Sequence, residues 1–266
     1  MRTPSRAVVL IQIVVVLLLA PLIAQAPTDG YTIGFAYSGT YSINPSVYTN
    51  MPFTQSDFAS IIWLSTVPMV IVVPTSLPVT SVTELIALAK ARPGQLNYGS
   101  AGIGSINHLA GELFNMMSGT MISHVPYRGG SLATTALISG EIQLIFAEPA
   151  SVLPFIESGR IRPIAVTSAK PSALLPGLPT VSASGVAGYD VTSWNGMLAP
   201  AGTPSHVIAR LNTELNKIIA NAEVRKRMLD LGFEPVGGSP ERFQEHIRQE
   251  TEKWAKVVKA TGMKVE

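Results

Sequence analysis

Residues 68–98 read PMVIVVPTSLPVTSVTELIALAKARPGQLNY, and this stretch decides the fold class. Pro68 to Val73 is a continuous apolar run rich in Val, the pattern of a strand buried on both faces. Ser81 and Glu84 form a capping box ahead of Leu85, Ile86, Leu88 and Ala89, so a helix starts there. It stops at Pro93-Gly94, and Leu96-Asn97-Tyr98 returns to extended chain. Strand, helix and strand in succession is the alternation of an α/β protein.

Moving toward the C-terminus, the alternation continues. A glycine-rich turn, Gly99 to Gly104, leads into a helix with Leu109, Leu113 and Met116 on one face. Strands follow at Ile122–Val125, Ile142–Phe146 and Ile164–Val166, separated by helices at Ser131–Ile138 and around Ser151–Glu157. Lys170 to Gly188, rich in Pro, Gly and Ser, reads as a surface excursion, and Val191–Leu198 is extended. Beyond Thr203 the chain is helical. Ile208, Leu211, Leu215 and Ile218 fall at core spacing, a second helix runs from Ala222 to Leu231, and a third has Ser239 as cap and Pro240 at its first position. In that third helix Phe243, Ile247 and Trp254 are expected to pack inward. Toward the N-terminus, Tyr31–Ala36 reads as a short strand that Gly39, Asn44 and Pro45 break into a loop.

Composition narrows the function classes. With 266 residues, 47% of them hydrophobic and 14% charged, the chain has ample material for a core. The absence of cysteine excludes disulfides, thiolate catalysis and cysteine-ligated zinc. Arg2 and Arg6 precede an apolar run, Ala7 to Ala24, and Ala24-Gln25-Ala26 has the small-x-small form of a signal peptidase site. Residues 1–26 are therefore expected to be a cleaved signal peptide, with an uncleaved N-terminal membrane anchor as the rival. Without Arg2 and Arg6 the 19 basic residues become 17, equal to the 17 acidic ones. This neutral remainder, with its charges intermixed, does not read as a nucleic-acid surface.

The strongest chemical signal is Tyr98-Gly99-Ser100-Ala101-Gly102-Ile103-Gly104-Ser105-Ile106-Asn107-His108. Unpaired amides at a helix start, with the helix dipole behind them, suit an anion. The candidate ligand-binding groups here are the amides of Gly104, Ser105 and Ile106, the Ser105 hydroxyl, and His108 one turn further in. Such turns are also common in α/β proteins that bind nothing at them. Asn107 stands where a dinucleotide fingerprint needs its third glycine, no Walker lysine follows, and no G-x-S-x-G elbow is present. His108, His124, His206 and His246 lack metal-ligand spacing, so no metal or cofactor is expected. Ser38 and Thr40 follow the first strand, where hydroxyls suit an α/β cleft. Glu148 is expected to point outward and Trp194 to fill a core.

Asp29-Gly30-Tyr31-Thr32, Ile43-Asn44-Pro45, Gln95-Leu96-Asn97-Tyr98 and His108-Leu109-Ala110-Gly111-Glu112-Leu113-Phe114 recur in one order with further strings. These are His124-Val125-Pro126-Tyr127, Ala165-Val166-Thr167-Ser168-Ala169-Lys170, Leu198-Ala199-Pro200-Ala201-Gly202-Thr203-Pro204 and Glu234-Pro235-Val236-Gly237-Gly238. In order and spacing the chain resembles the Bug, or tripartite tricarboxylate transporter receptor, family. The resemblance implies a type II periplasmic-binding-protein fold: two lobes, a hinge and an interlobe cleft. Lobe one would hold 27–98 and 196–266, and lobe two 99–195. It further implies a non-enzymatic, periplasmic, monomeric receptor that captures a small organic acid, a di- or tricarboxylate, for membrane permease subunits. Two departures stand out. The family's strand–loop–helix unit ahead of Asp-Gly-Tyr-Thr, which supplies half of the carboxylate grip, is not seen between Ala26 and Asp29. Ala147 also stands where the family often has Asp. The alternative is a shortened or repurposed paralogue acting as a sensor or partner-binding protein.

Overall fold

The computed structural model describes residues 20–263. The signal-peptide expectation therefore falls mainly outside the described residues. Of its last part, Ala20–Ala24 is helical, Ala20 is buried, and Ile23 lies against Gly34. Among the described residues no helix is long and apolar enough to cross a membrane.

Two sheets organise the chain. The first has four antiparallel strands in the order β1-β8-β2-β9: β1 Gly34–Tyr37, β2 Phe58–Pro68, β8 Thr192–Pro200 and β9 Glu234–Pro235. The second is mixed, in the order β5-β4-β6-β3-β7: β3 Val70–Pro74, β4 Asn97–Ser100, β5 Ser123–Pro126, β6 Leu144–Ala147 and β7 Ile161–Val166. Within it β4 runs parallel to both β5 and β6, while β3 is antiparallel to β6 and β7. The helices are α1 Asn44–Val47, α2 Val82–Ala91, α3 Ile106–Ser118, α4 Gly130–Ser139, α5 Pro149–Glu157, α6 Ser205–Ala220, α7 Ala222–Asp230 and α8 Pro240–Thr261. A π-helical turn, Gly39–Ile43, precedes α1, so the expected loop there is helical instead.

β3 is the fully buried strand that its sequence promised: all five of its residues are buried. Yet it belongs to the second sheet, so the chain changes sheet at Pro68–Val70, about thirty residues before the expected crossing near Tyr98. The return runs from the end of β7 to the start of β8. Thr167, fully buried, ties the two crossings together. Its Oγ1 accepts the Met69 N–H at 2.9 Å and donates to the Val191 carbonyl at 2.6 Å. Backbone bonds of 2.9 Å from Thr167 N–H to Met69 O and from Val191 N–H to Thr167 O complete the clamp.

The longest strand, β2, escapes a period-two reading for a physical reason. Its pairing with β8 shifts register between Ser60 and Ile62 and again between Trp63 and Ser65. Each shift inserts a residue and reverses the side on which later side chains fall, so no single alternation runs through FASIIWLSTVP. Met116 is a second departure, exposed at the end of α3, whereas Leu109 and Leu113 are buried. The excursion from Lys170 to Gly188 is also more than surface, because Leu175, Val181 and Val186 are buried in it.

Cores lie on both faces of each sheet. α8 covers one face of the first sheet with Phe243 and Ile247, against Trp194, and α6 covers the other with Ile208 and Ile219. Gly196 lets α8 approach: a Cβ there would sit 2.1 Å from the Phe243 ring. The far end of α8 reaches the second sheet, where Trp254, Val257 and Val258 join Ile71, Leu85 and Leu109. One helix thus braces both halves.

Candidate functional site

The parallel strands β4 and β6 both end on one edge of the second sheet, and helices start from that edge. This is where α/β sheets place ligands. A cavity of about 290 Å³ opens there. Its walls are Gly99–Ala101 at the end of β4, Asn107 in the first turn of α3, Gly130, Ser131 and Thr134 of α4, and Ala147–Glu148 after β6.

The helix starts differ in how many donors they leave free. In α3 the Ser105 hydroxyl accepts the His108 N–H at 3.3 Å and donates to the Gly102 carbonyl at 2.7 Å. In α4 the N-cap is Gly129, with no side-chain cap, so the first-turn amides have no capping acceptor. In α5 Pro149 has no N–H to offer, and the Ser151 N–H goes to the Glu148 carbonyl at 3.0 Å. The open donors therefore belong to α3 and, above all, α4. Among the described residues no Lys or Arg lines the cavity. An anion here would meet neutral donors and two helix dipoles.

The glycine turn is held from behind. Gly102 and Gly104 have φ of 131° and 79°, a region that disfavours a side chain. Gly104 N–H donates to His108 Nδ1 at 3.2 Å, which fixes that ring as the Nε2–H tautomer. Ser100 Oγ accepts the Gly102 N–H at 3.0 Å and pairs with His124 Nε2 at 2.6 Å. The two imidazoles stack with centroids 3.6 Å apart. Burial pushes the His108 pKa down to about 4, with His124 adding to the effect, and burial alone pushes His124 down to about 4. Both rings are neutral at ordinary pH and serve as braces for the turn.

Of the residues expected from sequence, Gly104, Ser105, Ile106 and His108 form the frame immediately beside the cavity, and the walls begin one step away at Asn107. The Gly104 amide and the Ser105 hydroxyl are already engaged. Ser38, the cap of the π-helical turn, and Thr40, on it, are buried and line neither this cavity nor the one across the cleft from it. Ser38 Oγ pairs with Ser193 Oγ at 3.1 Å, and Thr40 Oγ1 has no partner. Trp194 is fully buried, as expected. Glu148 does not turn away: it lines this cavity and a second, smaller one facing Tyr37, Ser193 and Asn195 of the first sheet. Its side chain keeps contact with solvent, while the protein around it displaces enough water to raise its carboxyl pKa. The α4 start, missed from sequence, was signalled by Gly129-Gly130-Ser131 after a strand, the same grammar as the turn before α3.

The sequence profile of the tripartite tricarboxylate transporter family receptor matches residues 16–263. A Pseudomonas protein from the tcbD–tcbE intergenic region is 36% identical over 239 residues, covering 89% of this chain and 71% of its own. The solved structure of R. palustris Rpa4515 with adipate superposes with a TM-score of 0.79 at 38% identity, over 93% of this chain and 83% of that one. The periplasmic binding protein BugD gives 0.74 at 31% identity, over 94% and 84%. The chain belongs to the tripartite tricarboxylate transporter receptor family, whose members are periplasmic solute-binding receptors and not enzymes.

Proposed function

We propose that this protein captures a small dicarboxylate, or a similar organic acid, in the cleft between its two sheets and delivers it to tripartite-type permease subunits. The uncapped start of α4 beside the start of α3, at the carboxyl edge of parallel strands, carries the reading. One ligand carboxylate sits at these helix starts, held by charge-assisted bonds from neutral donors. Adipate in the related Rpa4515 supports the ligand class. The crossings at Met69 and Thr167–Val191 act as the hinge, and closing the lobes presents a joint surface to the permease. The protein works as a monomer in the periplasm after export.

Isothermal titration against dicarboxylates of increasing length tests this. Saturable binding of at least one acid, at one site per chain, is expected. A series in which no acid binds would overturn the proposal.

A further inference from the structure

Ala24-Gln25-Ala26 has the form of a processing site, yet the residues around it are built into the first lobe. The helix Ala20–Ala24 lies on the face of the first sheet that α8 also covers. Ala20 is 3% exposed, and Ile23 and Ala24 pack against the cluster of Ala36, Tyr41, Trp194 and Phe243. The fit to β1 is close: a Cβ at Gly34 would lie 2.3 Å from Ile23 Cδ1, so the glycine leaves the notch that Ile23 fills. The helix then ends in its own turn, with Gln25 N–H donating to Pro21 O at 3.0 Å and Ala26 N–H to Ile23 O at 3.1 Å. Beyond it Asp29 Oδ1 accepts the Tyr31 N–H at 3.0 Å, and Gly30, at φ 86°, turns the chain beside Val207 of α6 and on into β1.

The apolar part of a removed export signal has no partner in the mature fold. Here the partner surface exists, and the family profile already matches from residue 16, inside the expected leader. Alanine is the best helix former and small enough to pack closely, which accounts for the small-x-small pattern without a peptidase. β1 depends on this cover most. It has four residues and, among the described strands, pairs with β8 alone. Gly34 and Ala36 are buried on the helix side, while Phe35 and Tyr37 wall the cleft.

We infer that Ala20–Ala26 stays with the mature receptor as a structural part of the first lobe, that Ala24-Gln25-Ala26 is not cut, and that any processing on export falls before Ala20. The segment holds from behind the strand that forms one wall of the cleft.

The intact mass of folded protein, purified after expression of the full chain in a Gram-negative host, tests this. A mass that includes residues 20–26 is expected, and the mass of Pro27–Glu266 overturns the inference. Ile23→Ala provides a second readout, because it keeps the run apolar and leaves Ala24-Gln25-Ala26 intact. It should lower the melting temperature by about 4–8 °C as the notch over Gly34 empties. Leu22→Ala, 65% exposed on the same helix, should move it by no more than about 1–2 °C. A chain cut after Ala26 contains neither position, so melting curves identical to wild type for both variants overturn the inference. Equal drops for both overturn it as well, since the packing of Ile23 would then count for nothing.

Discussion

The wall of the cleft on the second sheet and the wall on the first sheet face each other with opposite chemistry. Gly99–Ala101, Asn107, Gly130 and Ser131 offer backbone donors and small side chains at the ends of parallel strands. Across from them Phe35, Tyr37, Ser193 and Asn195 offer ring faces and a few polar groups on antiparallel strands. The hydroxyls that the first wall might have contributed, Ser38 and Thr40, are buried behind it. On the proposed reading, this difference assigns recognition of charge to the parallel edge, where helices begin, and leaves the antiparallel face to contact the rest of the ligand. An antiparallel sheet has no crossover helices whose dipoles would point at a ligand.

The largest effect that would break this comparison comes from placing a negative charge on the polar wall. Ser131→Glu should cost about a hundredfold in dicarboxylate affinity, since a like charge a few ångströms away in partly excluded water repels by several kcal/mol. The same substitution puts an acid in the first turn of α4, so the melting temperature should hold or rise slightly. Unchanged affinity would mean that the carboxylate binds elsewhere.

The histidine braces come next. His108→Leu leaves the Gly104 N–H without its acceptor and should cost about 2 kcal/mol of stability in denaturant titration. In the wild type, His108 and His124 have folded pKa values near 4, below the ordinary value of about 6.5. The unfolded chain therefore binds more protons between these limits. The braces' contribution is complete above pH of about 6.5 and lost as pH falls through about 4. A melting temperature flat across that window would contradict the buried, neutral pair.

A smaller effect falls between the walls. The Glu148 carboxyl is raised by desolvation, so lowering the pH removes its charge and should tighten dianion binding. Glu148→Gln should strengthen dicarboxylate affinity severalfold at neutral pH and flatten that pH dependence in calorimetry. Weakened binding would show instead that Glu148 accepts a hydrogen bond from the ligand. The least effect belongs to the first wall: Thr40→Val removes a buried hydroxyl without a partner, gaining up to about 1 kcal/mol with affinity unchanged.

Much of this was legible in the sequence where a local rule acts alone. The buried strand after Pro68, the Ser81 N-cap and the glycine turn before α3 all follow from nearest neighbours along the chain; the expected capping box is only half formed, because the Glu84 carboxylate accepts from the Thr80 N–H rather than from Ser81. What escaped depended on pairing across space. Which sheet β3 joins is set by its bonds to β6 and β7, and the bulges of β2 erase its own alternation. Ser105 was legible as a helix start, but its hydroxyl turned inward to Gly102. The uncapped α4 start carries the same glycine signal, but which of its amides stay open is set by the absence of a capping side chain at Gly129, a feature of the folded turn.

The central claim is that the carboxylate sits at the starts of α3 and α4. Backbone amide spectra recorded during an adipate titration test it most directly. Saturable shifts of the Asn107, Gly130 and Ser131 amides, with Thr40 and its neighbours still, are the predicted result. Shifts confined to the first sheet, with those three amides unmoved at saturation, would contradict it.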